Sequence, residues 1–345
     1  MKKTNDKKGI TLIALIITII VLLILAGVAL SNLTGGDSIL QNGKLATEQS
    51  LIAQETEIIR LALISALIAE DSEQEITAFL QKNNAIYQKP LVEFLNSGHI
   101  FCIENNKNII KVEKYSSTEI EFVVNASNEL VGININKDVD VENLIIPHTT
   151  ANGKTILAIN EALNNINGEY ASKKSEIKNI IISEGIEKIE GNAFKNQVTL
   201  ENIYLPTTLT EIESSAFSGL KIKSIELPEN LITIGDSCFE QCTELTTLTI
   251  PDSVTTMGPR IFKACSNIEK IVIGNGVTTI GESCFAQCPK LTTIELGSAV
   301  TAIGKSPSWD SPNLSTIYVH QTRTSAHDAW ENGLFASNPT FIFDN

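Results

Sequence analysis

The hydrophobic pattern changes period along the chain, and each change predicts a different element. Ile10 to Leu30 reads ITLIALIITIIVLLILAGVAL, 21 residues without a charge. At 1.5 Å per residue a helix of that length extends roughly 31 Å, about the thickness of a bilayer's hydrocarbon core, so residues 10–30 are expected to span a membrane. Gly35-Gly36-Asp37-Ser38 breaks the pattern. From Lys44 a helical period resumes, with Leu51, Ile58, Leu61 and Ile68 among its apolar positions. One face of this helix should pack against a sheet. Ser72-Glu73-Gln74-Glu75 fits a capping box before a short helix with Ile76, Phe79 and Leu80 inward. After Pro90 the period falls to two. Ile100–Glu104 and Asn108–Glu113 flank Asn105-Asn106-Lys107 as a hairpin, and Glu119–Val124 with Glu129–Ile135 add two strands around Ala126-Ser127-Asn128. Residues 31–88 therefore read as a helical stalk and 89–135 as a small antiparallel sheet.

The second half repeats. Strand-like triplets occur at Ile180-Ile181-Ile182, Ile203-Tyr204-Leu205, Ile225-Glu226-Leu227, Leu248-Thr249-Ile250, Ile271-Val272-Ile273, Ile294-Glu295-Leu296 and Ile317-Tyr318-Val319. Their starts are separated by 23, 22, 23, 23, 23 and 23 residues. A second column holds Phe194, Phe217, Phe239, Phe262 and Phe285. A third pairs Ile186 with Ile189, Leu209 with Ile212, Leu231 with Ile234, Val254 with Met257, Val277 with Ile280 and Val300 with Ile303. One such unit cannot bury its own apolar side chains, but stacked units bury a continuous column, so residues 136–319 are expected to form a curved solenoid of short parallel strands. Leu144 to Ile180 spans 36 residues, 13 more than one period. Asn143–Pro147 therefore reads as a degenerate first repeat and Asn164–Glu176 as an insertion. Residues 320–345, with a helical SAHDAWENGLF and a final FIF, read as the C-terminal cap.

Charge adds orientation. Lys plus Arg number 26 against 40 Asp plus Glu, a net charge of −14, which repels phosphate backbones and disfavours nucleic acid as a partner. Residues 1–9, MKKTNDKKG, carry four lysines against one aspartate. Lysines favour the cytoplasmic side, so everything after the apolar run should lie outside the cell membrane. A charged leader ending in Gly9 directly before ITLIALIITIIVLLILAG resembles the prepilin leader and first helix of type IV pilin-like proteins. The resemblance covers residues 1 to about 60. It implies that a membrane peptidase cuts after Gly9, leaving Ile10 as the methylated first residue, and that other pilin-like subunits are partners in a filament. Ala14 stands where that family usually carries a glutamate, which suits an atypical subunit. A long helix leaning on a small antiparallel sheet agrees with this resemblance by analogy.

The repeat unit L-x-x-I-x-L-P, then V-x-x-I-G, then A/C-F-x-x-C resembles the BspA-like class of bacterial leucine-rich repeats. Leu245–Pro251 and Ile280–Cys288 match it almost position by position. The resemblance implies a cell-surface protein adhering to host or neighbouring-cell surfaces or to matrix proteins. The expected fold is thus α+β: a transmembrane, pilin-like helix with a small sheet, followed by a leucine-rich-repeat solenoid.

Candidate chemistry is sparse. Cys242, Cys265 and Cys288 share one repeat column and Cys238 and Cys284 another, as small buried hydrophobes in successive coils would. A disulfide between stacked cysteines is geometrically open, while Cys238 and Cys284 are two coils apart. Cys-x-x-x-Cys lacks a second ligand pair, so no metal site is expected. His99, His148, His320 and His327 form no triad and read as surface residues. No catalytic residue, phosphate loop or cofactor motif is found, and the chain reads as a non-enzyme. What remains is the outward row of the concave strand face: Ile181, Tyr204, Glu226, Thr249, Val272, Glu295 and Tyr318. Aromatics supply contact area and hydroxyls adaptable hydrogen bonds, a mixture suited to a protein or glycan on another cell or matrix. The expected function is membrane- or pilus-anchored adhesion. The alternative is a minor pilin or pseudopilin with a structural role in a secretion or pilus apparatus.

Overall fold

A computed structural model describes residues 48–62, 76, 79–83, 85–88, 91–94, 100–104, 108–112, 120–135, 139, 141–163, 166, 171–322, 327, 330 and 334–344. The leader with Gly9 and Ile10, the apolar run 10–30, Ala14 and the capping box lie outside the described residues. Among those residues no helix is long and apolar enough to cross a membrane. The chain divides into two compact units, Met1–Lys114 and Tyr115–Asn345.

In the first unit, residues 48–62 are helical. The buried face is not the Leu51, Ile58, Leu61 stripe: Leu51 is exposed and Ile58 and Leu61 are half-buried. Half-buried Ile52 and buried Glu55, Ile59 and Ala62, at spacings of three, four and three, line one face instead. Ile76 and Leu80 join Ile59 in this core, as their spacing predicts. The sheet starts before residue 89. Strands β1 (Ala85–Gln88), β2 (Leu91–Phe94), β3 (Ile100–Glu104) and β4 (Asn108–Val112) form an antiparallel meander in chain order. β1 ends before Pro90 in the chain, so the sheet begins ahead of the change of period that the sequence marks there.

The second unit opens with a hairpin, β5 (Ile120–Val124) and β6 (Glu129–Ile135). Asn125 Oδ1 accepts from the Ser127 and Glu129 N–H groups, and Asn128 takes a φ of 62°, which closes the turn. Sequence reading places this hairpin in the small sheet. It belongs instead to the solenoid, because β6 pairs in parallel with β8 (Ala158–Ile159) and Ile120, Phe122, Leu130 and Ile135 enter the solenoid core. Alternation along a hairpin identifies the buried face, not the sheet that face covers.

Each later coil has three bonded sides. The strand face holds β7 (Asn143–Ile146), β9 (Asn179–Ile182) and β11 (Asn202–Tyr204) in one sheet. A second sheet holds β14 (Thr247–Ile250), β16 (Lys270–Ile273), β18 (Thr293–Leu296), β20 (Thr316–Val319) and β21 (Thr340–Phe343). All pair in parallel. Leu144 lies beside Ile180, so the 36-residue coil spans one rung, its excess including a 3-10 turn at Ala171–Glu176. A narrow second ladder follows β6 and β8 through β10 (Lys188–Ile189), β12 (Glu211–Ile212), β13 (Thr233–Ile234) and β15 (Thr256–Met257). It continues in β17 (Thr279–Ile280) and β19 (Ala302–Ile303).

The third side is made of turns. The Asn192, Phe194 and Asn196 N–H groups donate to Ser214, Ala216 and Ser218 carbonyls in the next coil, and the pattern repeats along the stack. Residues four apart enter the left-handed region to aim these groups: Asn192 and Asn196, Ser237 and Gln241, Ser283 and Gln287. Beneath them the phenylalanine rings form a column, with centroids 5.7, 5.5, 6.1 and 6.2 Å apart from Phe194 to Phe285.

One expected strand is missing. Ile225-Glu226-Leu227 is extended in pattern but forms no strand. From Phe217 to Ile222 is five residues, whereas Phe239 to Leu245 is six, so this 22-residue coil is one short just before its strand. The second ladder and the ring column pass through it unbroken. The deletion is absorbed on the strand face alone and divides it into two sheets.

Candidate binding surface

The two sheets present different outer faces. On β9 every residue is buried, and Ile181, expected to point to solvent, is 1% exposed. Beside it the amide of Asn202 donates to Asn179 Oδ1 (2.8 Å) and that of Asn179 to Asn143 Oδ1 (2.7 Å). These polar groups are spent on each other. Tyr204, on β11, is half-buried and pairs with Ile181.

The five-stranded sheet is open. Its register places Thr249, Val272, Glu295, Tyr318 and Ile342 in one outward row, and Thr247, Lys270, Thr293, Thr316 and Thr340 in the next. At about 4.8 Å per rung the row runs roughly 19 Å. Four of the seven residues singled out in the sequence thus stand side by side. Tyr204 belongs to the other sheet, and Glu226 is exposed on the strandless segment between them. Lys270 Nζ lies 2.7 Å from Glu295 Oε1, so the charges of the two rows neutralise each other. Tyr318 is 37% and Ile342 43% exposed, and they are direct partners. Other large exposed apolar residues of this unit, Val123, Val198, Ile232 and Trp309, lie on different elements.

Ile342 is absent from the sequence-based set because the tail reads as a cap. A signal was present: Thr340-Phe341-Ile342-Phe343 repeats the Thr-Ile-Glu-Leu and Thr-Ile-Tyr-Val pattern of β18 and β20.

The remaining polar clusters serve the stack. Cys238, Cys242, Cys265, Cys284 and Cys288 are free and fully buried. The Cys242, Cys265 and Cys288 thiols donate to the Phe217, Phe239 and Phe262 carbonyls at 3.1, 3.0 and 3.1 Å. Ser311 takes the same place, bonding Phe285 O at 2.6 Å. Burial pushes the Cys284 thiol up to about 11 and those of Cys242 and Cys288 up to about 12, so none is a ready nucleophile or metal ligand. On the second ladder Lys188 Nζ sits 2.5 Å from Glu213, 3.2 Å from Glu190 and 3.7 Å from Glu211. The hydrogen bond to Glu213 raises the lysine and lowers that carboxyl, while partial burial raises Glu190. At the strand ends the Asp252 carboxylate accepts from Asn275 N and Nδ2, and Asn275 Oδ1 accepts from Ser298 N.

His327 corrects the surface reading of the histidines. It is buried, with its ring 4.5 Å from Trp330 and 4.9 Å from Phe343. His148 Nδ1 is 3.0 Å from Ile156 O, and His320 Nδ1 is 3.3 Å from Asp344. Among the described residues no three His, Cys, Asp or Glu side chains converge as metal ligands.

A leucine-rich repeat protein from T. pallidum is 19% identical, with a TM-score of 0.45 over 58% of this chain and 92% of that one. A leucine-rich repeat protein from Bacteroides ovatus is 20% identical, with a TM-score of 0.44 over 68% and 72%. A leucine-rich cell surface protein from Faecalibacterium prausnitzii is 14% identical, with a TM-score of 0.22 over 68% and 95%. No curated protein matches the sequence. The family model for the BspA type leucine-rich repeat region matches in six copies, over residues 150–221, 165–288 and 210–335. These ranges cover more than half of the 345 residues, and the chain belongs to the BspA-type leucine-rich repeat family.

Proposed function

We propose that this protein is a surface adhesin in which the open five-stranded face binds a macromolecular partner. The observation that carries the proposal is the single row of Thr249, Val272, Glu295, Tyr318 and Ile342, side chains that the solenoid core does not use. The family supports a macromolecule-binding role in general, and its solenoid is a typically non-enzymatic scaffold. The partner is a protein or a glycan on another cell or in the matrix. It meets a locally neutral strip through apolar and hydroxyl contacts, so binding should depend only weakly on salt. The apolar run 10–30 supports anchoring of this face outside the membrane, with processing between Gly9 and Ile10.

The test is adherence of cells carrying the full chain to host-cell layers and immobilised matrix proteins. Tyr318→Ala should weaken attachment about ten-fold, the scale of a well-packed aromatic anchor. Tyr204→Ala should leave it unchanged. Equal adherence of Tyr318→Ala and the parent would refute the assignment of this face.

A further inference from the structure

The 22-residue coil loses its bonds on one side only. β11 ends one sheet and β14 begins the next, so each turns an edge without a strand partner toward residues 224–227. A single contact survives at the entrance, from the Thr246 N–H to Lys223 O at 3.3 Å. The other two sides are bonded in full. On the second ladder the Ile232 and Gly235 N–H groups donate to Thr210 and Ile212 carbonyls at 2.9 and 2.8 Å, and those of Thr255 and Gly258 to Ile232 and Ile234 at 3.0 and 2.9 Å. On the turn side Ser215 and Gly219 donate to Asp236 and Glu240, both at 2.8 Å, above the Phe217 and Phe239 rings.

Burial changes along the same line. Away from the break the inward residues of the strand face are sealed: Ile180, Ile250, Ile271 and Ile294 are 0% exposed. Beside it Ile203 is 5%, Ile225 8% and Leu227 9% exposed, and Leu205 is only half-buried. The core loosens where its bonded cover is missing.

We infer that this coil is a flexural joint: the sheet of β7, β9 and β11 and the five-stranded sheet move against each other as two stiff bodies, opening and closing at residues 224–227. Main-chain bonds hold neighbouring coils together, so a coil that lacks them on one side bends most readily about the other two. The second ladder and the ring column form that back edge, and rocking about it keeps Phe217 on Phe239. The open row starts at Thr249, on the first strand beyond the joint, so it moves as one piece and keeps its register. The joint does not depend on what that row binds. Restoring the missing residue should lock it. A threonine inserted between Leu220 and Lys221 makes the spacing from Phe217 to Ile222 six, that of Phe239 to Leu245, and lets the segment pair with both neighbours.

The test measures spin–spin distances by electron paramagnetic resonance on the full chain in mild nonionic detergent. Nitroxides are carried on non-cysteine handles, because native cysteines lie in the core. One pair, at Glu201 and Glu269, spans the joint; the other, at Thr246 and Ser315, spans as many rungs along the five-stranded sheet. All four positions are exposed. Three rungs of about 4.8 Å set each pair roughly 14 Å apart. The distribution across the joint should be about twice as broad as the other. The threonine insertion should narrow it to the same width and raise the urea midpoint. Equal widths in the parent would overturn the joint, whether or not the inserted chain folds. A folded insertion variant that keeps the broad distribution would overturn it too.

Discussion

Phe239→Ala tests whether the ring column bears the weight this structure gives it. Phe239 is 0% exposed, with Phe217 at 5.5 Å on one side and Phe262 at 6.1 Å on the other. Truncating a buried phenylalanine costs about 3–5 kcal/mol from lost burial and the cavity left behind. Each aromatic pair adds about 0.5–1.5 kcal/mol beyond area. Phe285 supplies the internal control, because it stacks on Phe262 at 6.2 Å but has Ser308 in place of a ring in the following coil. Phe285→Ala should therefore cost less than Phe239→Ala by about one ring pair, roughly 0.5–1.5 kcal/mol. Phe239→Leu keeps most of the buried volume and should recover more than half the loss. Equilibrium urea unfolding reads these differences as shifts in midpoint at constant slope. A cost below about 1.5 kcal/mol for Phe239→Ala, well under the usual range, or a larger cost for Phe285→Ala, would refute the stacking argument.

Three further outcomes follow from the same geometry. The buried thiols stay protonated past the pH, about 9, at which unfolded thiols ionise, so their contribution is intact below pH 9 and is lost as pH rises toward 11–12. Urea midpoints at pH 8 and pH 10 should show the drop, and a Cys242→Ser, Cys265→Ser, Cys288→Ser variant, which keeps the bond Ser311 makes, should flatten it. Gly235→Ala should lower the melting temperature by several degrees, since a Cβ there would strike the Glu213 and Ser214 backbone; an unchanged melting point would mean this turn yields freely. Amide hydrogen exchange should be faster at Ser224, Ile225 and Leu227 than at Thr247, Leu248 and Ile250, and equal protection would show that the strand face is continuous after all.

Much of this was legible in the sequence because a solenoid repeats one local solution. Period alone aligns Ile250, Ile273 and Leu296, and the cysteine column follows from the same register. That logic sets all seven candidate surface residues in one row, and the structure keeps four of them together. Ile181, Tyr204 and Glu226 fall outside because of one residue lost between Phe217 and Ile222, a loss that shows in the sequence only as a single spacing of 22. It does break the hydrogen-bonding phase of the strand that follows.

The amino-acid order by itself determined the repeat, its inward side chains and the family, since those depend on spacing within one coil. Tertiary structure decided what spacing cannot carry: that β5–β6 closes the solenoid rather than the small sheet, that Ile181 is covered, and that Ile342 completes the open row. Each depends on which distant segment lies alongside, and a pairing between segments is set by the shared burial of both, a quantity that neither segment states alone.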